Sequence, residues 1–86
     1  MADTPNLDEL INGGTVSYNA YAGGILNTTT QQATSSGPSW SSILTGVWLD
    51  KHNVPNNSFS NPNYTEYPHF FKRIKENDPQ AYLASI

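Results

Sequence analysis

Eighty-six residues with a net charge of −3 and only four Lys or Arg offer no clustered positive charge, which argues against a nucleic-acid or anionic-membrane surface as partner. The absence of cysteine excludes disulfides and thiolate metal sites while fitting either redox compartment, and no run approaches the ~18 apolar residues of a membrane span. A chain this short buries only about 60–65% of the surface its unfolded form exposes, so a free-standing fold is marginal; charged residues at 13%, with abundant Asn, Ser and Thr, match neither disorder nor a coiled coil.

The N-terminus, Met-Ala-Asp-Thr-Pro, lacks the basic and apolar layout of a signal peptide and is compatible with a start codon added to an excised segment. Thr4 can cap a helix whose first position suits Pro5, and residues 6–12 carry Leu7, Leu10 and Ile11 at i, i+3, i+4. Gly13-Gly14 supplies the stop. Residues 16–21 alternate, with Val16, Tyr18 and Ala20 on one face and Ser17, Asn19 and Tyr21 on the other, which predicts a strand ended by Gly23-Gly24. The polar stretch from Ile25 to Ser35 reads as a loop or a frayed helical turn with no assignable chemistry, and residues 24–35 are expected to be flexible.

A second helix is expected over residues 38–48, with Trp40, Ile43, Leu44, Val47 and Trp48 on one wide apolar face. An Asn/Pro/Ser loop follows through Tyr64. A third helix opens near Pro68, turns Phe70, Phe71 and Ile74 inward, and ends by Asp78-Pro79. Its Lys72, Arg73 and Lys75, followed by Glu76 and Asp78, read as a solvated face. Residues 81–86 read as a strand that stops at the chain end. This order of three helices and two short strands predicts an α/β fold, a fragment of a parallel-sheet sandwich truncated at both ends, because two strands are too few for an independent sheet.

Four blocks in order carry a family resemblance. Thr4-Pro5-Asn6-Leu7-Asp8 resembles the Thr-Pro-Asn-Leu-Asp opening of the first helix in sulfatases and their relatives, and Tyr18-Asn19-Ala20-Tyr21 resembles their Phe-x-Asn-Ala-Tyr strand. Ser36-Gly37-Pro38-Ser39, continuing through Ile43-Leu44-Thr45-Gly46, resembles the nucleophile block Cys-x-Pro-Ser-x-x-x-Leu-Leu-Thr-Gly. His52, with Asn57 and Phe59 beyond it, resembles the His-Gly-Ile-x-x-Asn segment of nucleotide phosphodiesterases and phosphate monoesterases. Residues 1–86 therefore resemble a single N-terminal, nucleophile-bearing segment of an alkaline-phosphatase-like domain.

The resemblance implies a metal-dependent phosphate-ester hydrolase, a phosphomonoesterase or phosphodiesterase acting on a small-molecule ester. It places the nucleophile at Ser36, ten positions before Gly46. The cysteine and the arginine of the sulfatase maturation signal are replaced by Ser36 and Trp40, which points to a serine alkoxide and away from a cysteine-type sulfatase. The family holds that oxygen with two divalent metal ions, usually zinc, roughly 4 Å apart, so Ser36 is implied as a metal ligand as well. Amides around Gly37 would stabilise equatorial charge, and Asn57, twenty-one positions after Ser36, would donate its amide to a phosphate oxygen. The family's remaining ligands, starting with an aspartate on a preceding strand, have no counterpart in these residues. The isolated chain is therefore expected to bind no metal and to be inert. Asn53 stands where the family has glycine, at a turn. The resemblance is compatible with a periplasmic or extracellular parent; nothing in the sequence fixes a compartment.

Other readings stand beside these. Ser36 can be a simple helix cap, Ser35 or Thr34 the nucleophile, and Asn57 a turn former in an Asn-rich loop. His52 reads as a hydrogen-bonding structural residue, His69 as surface or half-buried, Asp8 as helix face, Asp3 as loop, and Trp40, Trp48, Phe70 and Phe71 as core. The alternative for the whole chain is a small non-catalytic protein that self-associates through exposed apolar helix faces. A carbohydrate- or protein-binding module would draw only on the five Tyr and two Trp.

Overall fold

A computed structural model describes residues 3–85. Four helices follow in order: α1 Pro5–Gly13, α2 Ser36–Thr45, α3 Leu49–His52 and α4 Phe70–Asn77. Among the described residues there is no strand and no sheet, which overturns the expected α/β sandwich fragment. Residues 16–21 run as bends and open backbone, with Val16, Tyr18 and Tyr21 exposed. Residues 81–85 are likewise irregular, and the strand expected there extends to Ile86, outside the described residues. The physical reason is the ladder. A helix closes its own backbone hydrogen bonds, whereas an alternating segment needs a neighbouring strand to accept and donate its main-chain groups. Among the described residues no such neighbour lies beside either segment.

The expected second helix divides. α2 starts at Ser36, since Pro38 lacks only an N–H that has no intrahelical partner in the first turn. It ends at Thr45 because Gly46 turns left-handed (φ 74°) and donates its N–H to the Ser42 carbonyl at 2.9 Å. Val47 and Trp48 lead into the separate turn of α3, which stops at Asn53, also left-handed (φ 54°). Asparagine tolerates that conformation better than most residues, so the turn accepts Asn53 where the resembling family has glycine.

Burial is inverted relative to expectation. The stripe of α2 that faces the rest of the chain is small and polar: Gly37, Pro38, Ser41 and Thr45 are buried. Trp40, Ile43 and Leu44 point outward, and Trp48 and Phe70 are exposed too, so the aromatic core expected from the sequence does not form. Phe71 is half-buried, edge-on to Phe70 with ring centroids 4.8 Å apart. Val54 is the one buried large apolar side chain among the described residues. α1 buries nothing, with Leu7 and Leu10 exposed, and α4 presents an exposed Lys72–Glu76 pair at 2.8 Å on its solvated face. The radius of gyration is 16.3 Å, against about 12 Å for a compact domain of this length. No helix among the described residues is long and apolar enough to cross a membrane.

Two loops frame α2. Residues 23–32 close on themselves: Gln32 N–H donates to the Gly23 carbonyl at 2.8 Å, and Thr28, Thr30 and Gln31 side chains bond to backbone inside the loop. The stretch expected to be a flexible loop is therefore internally braced. Residues 53–63 form a second closed loop, with Asn53 Nδ2 donating to the Asn61 carbonyl at 2.8 Å and Asn63 N–H to the His52 carbonyl at 2.9 Å. Gly24 (φ 77°) lets the first loop turn, and any side chain there would collide with the Thr30 carbonyl.

The two glycines give a paired test. Gly24→Ala and Gly46→Ala both force alanine into a left-handed conformation, at about 1–2 kcal/mol each. Space is open around Gly46 but not around Gly24, so the urea midpoint should fall clearly further for Gly24→Ala. Equal midpoints would show that the first loop is not closed as described.

Candidate active site

Ser36 is the first residue of α2, and its side chain is exposed. Its hydroxyl takes part in no hydrogen bond among the described residues, and Ser35, the N-cap position, makes no side-chain cap bond either. Ser39 N–H donates to the Ser35 carbonyl at 3.1 Å, and Pro38 has no N–H. Gly37 N–H is taken by a side chain from far along the chain: Asn57 Oδ1 accepts it at 2.6 Å. The helix is thus capped by Asn57, and the hydroxyls of Ser35 and Ser36 are left uncommitted. The simple helix-cap reading of Ser36 does not describe this geometry.

Gly37 makes the approach possible. A Cβ at this position would stand 2.5 Å from the Asn56 carbonyl oxygen and 3.0 Å from Asn57 Oδ1, so only glycine lets the 56–57 backbone reach the helix. The loop is pre-shaped for it: Asn56 Oδ1 accepts both Ser58 N–H (2.9 Å) and Ser58 Oγ–H (2.6 Å). Asn57 Oδ1 is spent on Gly37, and its two Nδ2 hydrogens make no hydrogen bond among the described residues. The structure brings Ser36, Gly37 and Asn57 together, and the Gly37 N–H expected to face substrate faces Asn57 instead. Thr34, exposed, lies before the helix and packs toward Gly23.

Behind the helix lies a polar hub. His52 has no accessible surface. Its Nδ1 accepts Val54 N–H at 3.1 Å, so in the neutral ring the proton sits on Nε2, which lies 3.1 Å from both Gln32 Oε1 and Ser42 Oγ. Gln32 Nε2 donates in turn to the Pro38 carbonyl (3.1 Å) and Ser42 Oγ (2.9 Å). Both ring nitrogens are therefore engaged, as the hydrogen-bonding reading of His52 requires, and neither is free to act as base or metal ligand.

Gln32 was not distinguishable in the sequence from its polar neighbours, although it is buried and bonded three ways. Ser41 and Tyr64 also carried no signal. Ser41 Oγ donates to the Gly37 carbonyl at 2.7 Å and lies 2.8 Å from Tyr64 OH. The only cue was the 37–41–45 spacing of small residues at helical period. His69 is exposed beside Phe71, and Asp3 and Asp8 are exposed away from the site. No three His, Cys, Asp or Glu side chains among the described residues come together as a metal site.

The chain matches the family model of type I phosphodiesterases / nucleotide pyrophosphatases over residues 1–84. That match takes in nearly the whole sequence, and the chain belongs to this family, a branch of the alkaline phosphatase superfamily. No curated protein and no solved structure matched.

Burial holds the His52 imidazole below its ordinary value, against a smaller opposing pull from the Asp50 carboxylate. The folded ring resists protonation more than the unfolded one. The hub's contribution to stability is therefore full above about pH 6.5, the unfolded value, and is lost as pH falls through the folded value. The thermal midpoint should drop on acidification from about pH 8 to 5, and His52→Gln should flatten that drop. A wild-type midpoint that rises on acidification across this range would refute the hub as described.

Proposed function

We propose that this member of the type I phosphodiesterase / nucleotide pyrophosphatase family contributes the nucleophile of phosphate-ester hydrolysis, with Ser36 Oγ attacking phosphorus and Asn57 Nδ2 donating to a phosphoryl oxygen. The observation that supports it most directly is the division of labour at the start of α2. Asn57 caps the helix through Gly37, and the Ser36 hydroxyl stays exposed and unbonded at the positive end of the helix dipole. A cap serine would be consumed by the helix; this one is not.

In this reading Ser36 Oγ gives up its proton to solvent and forms the new P–O bond as the ester or anhydride oxygen leaves and takes up a proton; water then cleaves the bond between phosphorus and Ser36 Oγ, releasing a phosphomonoester from a diester or nucleotide pyrophosphate and restoring the hydroxyl. Family membership favours a diester or pyrophosphate over a monoester. Gly37 takes part indirectly, by fixing the amide of Asn57 so that its N–H₂ group stays available. A serine hydroxyl needs a base or a metal to become nucleophilic at neutral pH, and His52 cannot be that base. Two divalent ions, zinc by resemblance, would supply that activation. The described residues gather no metal site beyond the Ser36 oxygen itself.

A second reading concerns the chain by itself. It exposes 7031 Å², against about 5,000 Å² for a folded monomer of this mass. Trp40, Ile43 and Leu44 form a bare apolar strip on α2 that suits self-association.

In a metal-loaded enzyme carrying this segment, Ser36→Ala should remove nearly all turnover of bis-p-nitrophenyl phosphate, and Asn57→Ala should cost on the order of 10²-fold, the loss of one transition-state donor. Wild-type turnover in Ser36→Ala would refute the nucleophile, and in Asn57→Ala would return that residue to a structural cap. The isolated chain should show no turnover and should sediment faster as its concentration rises; a concentration-independent monomer would refute the second reading.

A further inference from the structure

The first turn of α2 is gripped at both polar groups of Gly37, the residue next to Ser36. Asn57 Oδ1 accepts its N–H at 2.6 Å, and Ser41 Oγ bonds its carbonyl at 2.7 Å. A serine hydroxyl has a single hydrogen, and at Ser41 it is on that carbonyl. Tyr64 OH, 2.8 Å from Ser41 Oγ, must therefore be the donor to it. The directions are fixed: Tyr64 donates to Ser41, Ser41 to the Gly37 carbonyl, and the Gly37 N–H to Asn57.

We infer that Tyr64 and Ser41 are positioning residues for Ser36 and Asn57, holding the nucleophile's turn and the Asn57 loop in one register through Gly37. Two neighbouring peptide groups, those on either side of Gly37, are pinned, which leaves the Ser36 side chain only its own rotamer freedom. Tyr64 also stands just past the closing bond of the 53–63 loop, where Asn63 N–H meets the His52 carbonyl. Its phenol thus moors the far end of the Asn57 loop to the same helical turn that Asn57 caps. Phe59, left-handed at φ 51°, borders a cavity of about 120 Å³ together with Leu44, Thr45 and Tyr64, which places the loop beside α2. Polarised in series, the hydroxyls strengthen one another. A tyrosine that merely fills space would need no donor role and would not face a serine already committed to the first turn.

The catalytic meaning of this grip rests on Ser36 being the nucleophile; the grip itself does not. Amide exchange followed by NMR on the 86-residue chain tests it. In the wild type, Gly37 N–H should be protected and Ser36 N–H, which has no partner, should not. Tyr64→Phe and Ser41→Ala should each speed Gly37 exchange about tenfold by local opening, and the double variant should add nothing to either, as for one linked chain. Gly46 N–H, bonded to Ser42 at the other end of α2, is the control and should not change. An unprotected Gly37 in the wild type, which needs no variant to observe, overturns the inference. So does equal acceleration at Gly37 and Gly46, the mark of a merely structural role, or no change at Gly37 in either variant. Should Gly37 respond as expected while Ser36→Ala leaves ester turnover intact in the complete enzyme, the grip stands and the nucleophile reading fails.

Discussion

One neutral imidazole carries the arrangement. His52, without accessible surface, joins three stretches of chain that otherwise share few apolar contacts: the 23–32 loop through Gln32, α2 through Ser42, and the start of the 53–63 loop through Val54 N–H. Its backbone carbonyl receives Asn63 N–H and so closes that second loop. With Val54 as the only buried large apolar side chain among the described residues, hydrogen bonding holds what a hydrophobic core would hold elsewhere. Each bond is worth about 1 kcal/mol net, but leaving a buried partner unsatisfied costs about 1–3 kcal/mol. A network of this kind is consequently all or nothing, and each buried side-chain nitrogen and oxygen among the described residues has a partner.

That dependence explains which elements were legible in the sequence. α1 and the start of α2 follow from local rules, Pro5 in the first turn and the Gly-Pro pair ahead of an apolar periodicity, whereas the left-handed stop at Gly46 cuts short a helix that the periodicity carried on to residue 48. A helix satisfies its own backbone, so local sequence suffices to place it. The strand over residues 16–21 rested on alternation and that over 81–86 on a final run without turn residues, and neither pattern supplies a neighbouring ladder. The inward stripe of α2 failed for a related reason. Periodicity of Trp40, Ile43, Leu44 and Val47 marks a face that seeks cover, but the contacts that form here are polar and lie along an adjoining stripe, Gly37, Ser41 and Thr45.

The candidate site was legible where a residue type is constrained and hidden where it is not. Gly37 can be nothing larger, because Asn56 and Asn57 arrive against it, and Asn53 tolerates a left-handed turn that most residues resist. Those constraints leave marks in sequence. Gln32, Ser41 and Tyr64 leave none: each is a common polar residue among others, and its importance lies in a partner ten to twenty-three positions away. The family resemblance brought Ser36 and Asn57 to attention, but that Asn57 caps the helix through its oxygen, leaving its nitrogen without a partner among the described residues, is a property of geometry alone.

The two sides of α2 differ in kind, and this difference bears on how Ser36 is kept in place. The side turned to the loops is small, polar and fully bonded, so the orientation of the first turn is set by directional contacts that resist rotation as well as separation. The other side, with Trp40, Ile43 and Leu44, is apolar and bare, and apolar contact is non-directional. Whatever covers that side can add stability without choosing where Ser36 points. Orientation and stability are thereby assigned to different stripes of one ten-residue helix: the register of Ser36 with Asn57 is set by the hydrogen bonds at Gly37, independently of any surface that covers Trp40.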